Sequence, residues 1–138
     1  MTRKYLTATR EDYIRAIGLL QEKDGSVQTV ELARYLKLSK STVSERLNEL
    51  MRCGLVVRSH YSPIRLTRRG YKMSQSITHK HRVIEVFLNS VLKVPKSEVH
   101  KEANILEHAV SDEVIKKLSH FLGNPKKDPH GVLIPTLQ

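Results

Sequence analysis

The sequence predicts a mainly α-helical chain, with an N-terminal winged helix-turn-helix followed by a helical second half. Three observations predict it. Apolar residues recur at helical spacing along most of the 138 residues. The period changes at Leu55-Val56-Val57-Arg58 and Ile64-Arg65-Leu66-Thr67, which read as two short strands around Ser59-His60-Tyr61-Ser62-Pro63. Those strands directly follow three short helical patterns, which is the element order of a winged helix-turn-helix.

The first pattern opens at Thr9-Arg10-Glu11-Asp12, carries Tyr13, Ile14, Ile17, Leu19 and Leu20, and stops at Asp24-Gly25-Ser26. A short helix follows from Thr29 to Leu36, with Val30, Leu32, Ala33 and Leu36 apolar. Lys37-Leu38-Ser39-Lys40 is the turn. Ser39 caps a third helix with Val43, Leu47, Leu50 and Met51, and Gly54 suits its end. Thr67 caps a long helix from about Arg68 to Val91, striped by Met73, Ile77, Ile84, Phe87, Leu88 and Val91. After Pro95, Ser97 is expected to cap a helix carrying Val99, Ala103, Leu106 and Val110. Ser111-Asp112-Glu113 starts a last helix to about Leu122, and the tail to Gln138 reads as irregular. The expected division is a DNA-binding domain over 1–72 and a second helical domain over 73–138.

The totals narrow the function. No apolar run approaches the roughly 20 residues a spanning helix needs, and no apolar signal stretch follows the N-terminus, so no membrane partner and a cytoplasmic location are expected. Cys53 is the one cysteine, which rules out an intrachain disulfide. Trp is absent and aromatics are 5%, which argues against stacking on single strands. The net charge of +10 is concentrated in the front: residues 1–75 hold 15 Lys/Arg against 7 Asp/Glu, and residues 76–138 hold 9 against 7. Six of the seven histidines lie in the back half. A basic front suggests a polyanion partner, and a histidine- and carboxylate-bearing back suggests metal or proton chemistry.

In a winged helix the third helix enters the major groove. Ser39, Lys40, Ser41, Thr42, Ser44, Glu45 and Arg46 crowd its start. Small hydroxyls at a helix N-terminus suit phosphate oxygens and close approach, Glu45 can accept from cytosine, and Lys40 or Arg46 can contact phosphate or guanine. The plainer reading makes Ser39 only a cap and Arg46 a solvated residue. Arg58, His60 and Arg65 on the wing, with Arg68 and Arg69 after it, are expected to contact phosphate.

The back half carries ligand chemistry. His81 and Glu85 lie four apart on one helix face, and His100, Asn104, Glu107 and His108 follow the spacing of another. Asp12 stands on the first helix. Mixed imidazole and carboxylate donors suit divalent Mn, Fe, Co, Ni or Zn, and the absence of thiolates among them argues against a cysteine-type structural zinc site. Each has a duller alternative: a surface pair for His81 and Glu85, a hydrogen-bonded core residue for His108, and a first-turn acid for Asp12.

The stretches Thr9-Arg10-Glu11-Asp12-Tyr13-Ile14, Lys80-His81-Arg82-Val83-Ile84-Glu85 and Val99-His100-Lys101-Glu102-Ala103-Asn104-Ile105-Leu106-Glu107-His108, followed by Val110-Ser111-Asp112-Glu113, resemble the diphtheria-toxin-repressor family of metal-dependent transcriptional repressors. The similarity runs over essentially the whole chain. The length is that of the shorter members, with no room for the SH3-like domain of the longer iron regulators. The resemblance implies a homodimer paired through the fourth to sixth helices, binding palindromic double-stranded operator DNA when Fe(II) or Mn(II) is held, with Co(II), Ni(II) or Zn(II) as surrogates. By motif position Asp12, Glu107 and His108 match primary ligands, and His81, Glu85 and His100 match an ancillary site. Asp128 and His130 in Asp128-Pro129-His130-Gly131 resemble a tail motif that supplies further ligands in some members, usually with Cys in place of Asp128. Asn104 stands where members place Cys or Glu, and Arg15 stands where the manganese regulators place a second acid. An amide oxygen carries no charge and a guanidinium cannot ligate, so the metal identity and count stay open.

The expected mechanism is linkage: a cation favours DNA binding only by its differential affinity for the competent form. Two other classes are open to the sequence. One is a winged-helix regulator that responds to a non-metal ligand. The other is a metallo-hydrolase, which needs an open coordination position and a substrate cleft and leaves the basic front unexplained, so an enzyme is not expected.

Overall fold

A computed structural model describes residues 3–58 and 63–137, with side chains from residue 8 onward. The described residues form α1 (Arg3–Asp24), α2 (Thr29–Leu36), α3 (Lys40–Arg52), β1 (Val56–Val57), β2 (Arg65–Leu66), α4 (Arg68–Ser90), α5 (Lys96–Leu106) and α6 (Asp112–Phe121). The chain divides into two compact units, Met1–Gln75 and Ser76–Gln138. No helix among the described residues is long and apolar enough to cross a membrane.

In the first unit, Ile14, Ile17, Leu32, Val43, Leu47, Leu55 and Ile64 close one apolar core. α1 starts at Arg3, a turn and a half before the expected Thr9. No Gly or Pro separates Arg3 from Thr9, and extending a formed helix costs far less than starting one. α2 opens with Glu31 accepting from the Gln28 amide at 3.2 Å. It closes at Lys37, which sits in the left-handed region at φ 57. There the Lys37 and Leu38 amides donate back to Arg34 and Ala33. This tight reversal is the turn of the helix-turn-helix, and it aims α3 away from α2. Ser39 caps α3, its hydroxyl oxygen accepting from the Thr42 amide. Gly54, at φ 72, ends that helix, with the Gly54 amide donating to Met51 and the Leu55 amide to Leu50.

The wing pairs antiparallel in the register Val56 with Leu66 and Val57 with Arg65. Val27 adds a bridge to Ile64 on the far side. Thr67 then ties the wing to α4: its hydroxyl donates to the Gly54 carbonyl and accepts from the Gly70 amide.

The second unit closes on Ile84, Leu88, Val99, Ala103 and Ile115. Two expectations are revised here. α5 begins at Lys96 with Pro95 as its cap, so Ser97 lies inside the first turn. Proline's fixed φ is already suited to a helix start, and the Pro95 carbonyl accepts from both Glu98 and Val99. α5 also ends at Leu106, so Glu107 is its C-cap and His108 lies in the following turn. His100, Asn104, Glu107 and His108 therefore do not share one continuous helix. Ser111 caps α6, accepting from the Val114 amide.

The tail is also more regular than expected. Asp128 folds it into a tight loop, one carboxylate oxygen accepting from the His130 and Val132 amides. The Asp128 amide donates to Val132 and the Ile134 amide to Lys126, closing a hairpin-like reversal. His79 Nδ1 donates to the Pro135 carbonyl at 2.7 Å and Arg82 to the Leu133 carbonyl, which fastens the tail along α4.

Candidate metal centre and nucleic-acid interface

One turn of α4 separates His81 from Glu85, and both side chains are buried. His100 comes from α5. Ligand atoms of these three lie within 4.8 Å of one another. His81 Nδ1 is 2.8 Å from Glu107 Oε2, while His81 Nε2 is 3.2 Å from Glu85 Oε1 and 3.1 Å from His100 Nδ1. An ionised carboxylate only accepts and a neutral imidazole has a single N–H, so with Nδ1–H donated to Glu107 His81 has no second proton for Glu85 unless its ring is charged. A proton or a cation must mediate between Nε2 and the Glu85 oxygen.

A second group shares Glu85. One ligand atom each from Glu85, Asp128 and His130 also lies within 4.8 Å of the others. His130 Nε2 donates to the Lys96 carbonyl at 3.1 Å, which leaves Nδ1 bare. That nitrogen faces Glu85 Oε2 across 3.8 Å. Fixing an imidazole by its other nitrogen on a carbonyl is the usual support of a metal-ligating histidine.

Among the described residues, two buried carboxylate oxygens have no hydrogen-bond partner, Glu85 Oε2 and Glu107 Oε1. Glu107 Oε1 lies 3.4 Å from His108 Nε2, outside hydrogen-bond geometry. An unpaired buried acceptor costs about 1–3 kcal/mol, and more when charged. Both unpaired oxygens face imidazole nitrogens at distances that a shared cation suits. The donor set of imidazole and carboxylate fits a divalent Mn or Fe ion.

The electrostatics agree. Burial pushes the Glu85 carboxyl up, but the hydrogen bond from His81 and the charges of His81, His100 and His130 together outweigh it. The carboxyl is held below the ordinary carboxylate range, in its ligating form.

The other expected ligands are placed as follows. Asp12 lies on an exposed face of α1, and Asn104 is half-buried on α5. Sequence reading missed that Glu107 supports His81, 26 residues away, and that the Lys96 carbonyl orients His130. No spacing rule signals either, because each links separate elements.

At the start of α3, Ser39, Lys40, Ser41, Thr42 and Glu45 are exposed, and Ser44 is half-buried. Ser39 works as a cap and also donates its hydroxyl proton to Thr42 Oγ1 at 2.8 Å. Arg46 is turned toward Glu49 at 3.1 Å and lines a cleft between α1 and α3. On the wing, Arg58 donates to Thr29 Oγ1 and Arg65 is exposed. His60 lies outside the described residues.

Residues 5–64 match the family model for the iron-dependent repressor N-terminal DNA-binding domain, and residues 67–136 match that for the metal-binding and dimerisation domain of the same repressors. The chain belongs to the diphtheria-toxin-repressor family of iron-dependent repressors. Similar proteins include an iron-dependent repressor, IdeR, of Mycobacterium leprae, which is 35% identical over 132 residues, 96% of this chain and 57% of that protein. The diphtheria toxin repressor of Corynebacterium diphtheriae is 33% identical over 134 residues, 97% of this chain and 59% of that protein. The solved structure of the manganese regulator SloR superposes with a TM-score of 0.82 at 38% identity, covering 92% of this chain and 59% of that one. The chain thus spans just under three fifths of the length of these relatives.

Proposed function

We propose that this family member is a metal-dependent transcriptional repressor that senses Fe(II) or Mn(II), binds palindromic double-stranded DNA as a homodimer in the cytoplasm, and controls metal homeostasis. The observation that carries the reading is the pair of buried, unpartnered carboxylate oxygens, Glu85 Oε2 and Glu107 Oε1, each facing an imidazole nitrogen in a chain of this family. His81, Glu85 and His100 would hold one cation, with Asp128 and His130 from the tail hairpin adding to Glu85. Glu107 and His108 would hold another, and Asp12 joins them on the motif match alone. Co(II), Ni(II) and Zn(II) would serve as surrogates.

A bound divalent ion supplies positive charge to clustered carboxylates and fixes the groups that ligate it. The chain's own residues do the rest. Glu107 holds His81 in one tautomer, the Lys96 carbonyl does the same for His130, and the α3 residues from Ser39 to Glu45, with Arg46, Arg58 and Arg65, meet the DNA. Metal can shift DNA affinity only through a difference in its affinity for the two forms.

The test is binding of a duplex, selected from random sequence with metal-loaded protein, against added Mn(II), Fe(II), Co(II) and Zn(II), with a chelator as control. Metal should tighten binding at least fivefold, the lower end of ordinary coupling energies. Equal affinity with chelator and with every metal would refute the reading. Asp12→Ala should weaken the metal dependence, and an unchanged dependence would remove Asp12 from the ligand set.

A further inference from the structure

A cleft of about 390 Å³ opens in the first unit between α1 and α3. Thr9, Arg10 and Tyr13 line one wall, and Arg46, Glu49 and Arg52 the other. Three of these six residues are cations and one is an anion. Arg46 holds Glu49 at 3.1 Å, so that carboxylate is already engaged. Among the described residues no carboxylate pairs with Arg10 or Arg52, and both are exposed at the rim.

Tyr13 gives the second, independent observation. It is only 3% exposed, and its hydroxyl has no hydrogen-bond partner. Buried hydroxyls are nearly always satisfied, and one that is not asks for an explanation. Here the phenol lines a cleft whose free charge is positive, so the partner that fits is an oxyanion. Burial raises the phenol's pKa, with the Arg46 charge opposing and the Glu49 charge adding, so the group stays a donor through the physiological range.

We propose that this cleft seats a phosphate group, with the Tyr13 hydroxyl donating at its floor and Arg10 and Arg52 closing on it from the rim. Nothing in the metal cluster or at the start of α3 uses these residues. Two sources can supply the group: the backbone of bound DNA, or a free phosphate acting as a co-ligand. The DNA source rests on the reading above, and the free source does not.

The experiment uses the whole chain and an Arg10→Gln/Arg52→Gln variant, whose exposed side chains leave the fold intact, as an unchanged far-UV spectrum and melting point verify. Inorganic phosphate is titrated against chloride at constant ionic strength, following the ring signal of Tyr13 in carbon-13 tyrosine-labelled protein, assigned with Tyr13→Phe. In parallel, binding of a mixed-sequence duplex to Mn(II)-loaded protein is measured over a range of salt. A backbone seat makes the variant's log–log salt slope shallower by about one unit per phosphate lost, with no phosphate-specific shift at Tyr13. A free-phosphate seat moves the Tyr13 signal in the wild type and not in the variant. If the wild type shows no phosphate response and the variant keeps its duplex affinity and slope, the proposal is overturned. If the wild type binds no duplex with metal present, the repressor reading fails separately, and the phosphate titration alone decides this site.

Discussion

His81 Nδ1 and Glu107 Oε2 lie 2.8 Å apart, and each residue is only 1% exposed. This hydrogen bond links the two candidate cation sites of the second unit. Glu107 turns one oxygen to His81 and leaves the other near His108, while His81 turns its remaining nitrogen to Glu85 and His100. Glu107→Gln can offer an amide N–H to His81 Nδ1, which then no longer needs its own proton. The preferred tautomer changes, and with it the proton on the nitrogen that faces Glu85 and His100. At the site of His81, Glu85 and His100, where Glu107 supports a ligand and is not one itself, the expected result is a loss of metal affinity of about 10–100-fold. A Co(II) titration followed by its visible absorption reads both the affinity and the altered ligand field. An unchanged spectrum and affinity would show that Glu107 does not orient His81.

Metal binding should also depend on pH. Imidazole ligates only when its nitrogen is bare, so cation and proton compete for any imidazole that ligates. Lower pH favours the proton, and affinity falls as pH drops through the histidine range around 6.5. One displaced proton gives about a tenfold loss per pH unit. Free Mn(II), measured by its paramagnetic resonance signal between pH 8 and pH 5.5, checks the slope. A flat profile would mean that carboxylates alone hold the ion.

Lys37 closes α2 with φ 57, where a side chain is strained. The left-handed conformation costs an L-residue about 1–2 kcal/mol. Glycine removes that strain but loses roughly 0.5–1 kcal/mol more backbone entropy on folding. Strain is the larger of the two, so Lys37→Gly should raise stability by up to about 1 kcal/mol, seen as a higher urea midpoint at unchanged m-value. A lower midpoint would show that the Lys37 side chain stabilises the turn by contacts that outweigh its backbone conformation.

Tyr13→Phe removes a buried hydroxyl that no partner satisfies. At neutral pH the variant should be as stable as the wild type or more so, by as much as about 1–3 kcal/mol. At alkaline pH the two should diverge further. Burial raises the folded-state phenol pKa above 10, so the unfolded chain loses its proton first. The unfolded form then binds fewer protons, and wild-type stability falls as pH rises past 10. Tyr13→Phe lacks that fall. Urea melts at pH 7 and pH 10.5 separate the two effects, and a parallel alkaline loss in the variant would clear Tyr13 of it.

Much of the fold is written in local chemistry. Ser39, Gly54, Thr67 and Ser111 each mark a helix boundary by a hydrogen bond or a backbone angle that near neighbours determine, and the structure has each boundary there. The wing was legible because two runs of β-branched and leucine residues break the helical period. The donor-atom types of the candidate residues His81, Glu85, Glu107 and His108 were legible from spacing and motif. What local reading missed was equally physical. Thr9 looked like a cap, yet nothing upstream stops α1. Ser97 looked like a cap, yet Pro95 had already set the backbone. The pairing of His81 with Glu107, the anchoring of His130 on the Lys96 carbonyl, and the unpartnered hydroxyl of Tyr13 exist only because helices distant in sequence pack together. Short-range hydrogen bonds are set by residues within a turn of each other, so the sequence alone determined the elements and the kinds of donor atom. Which lone pair faces which carboxylate depends on how whole elements pack, and only the tertiary structure decided it.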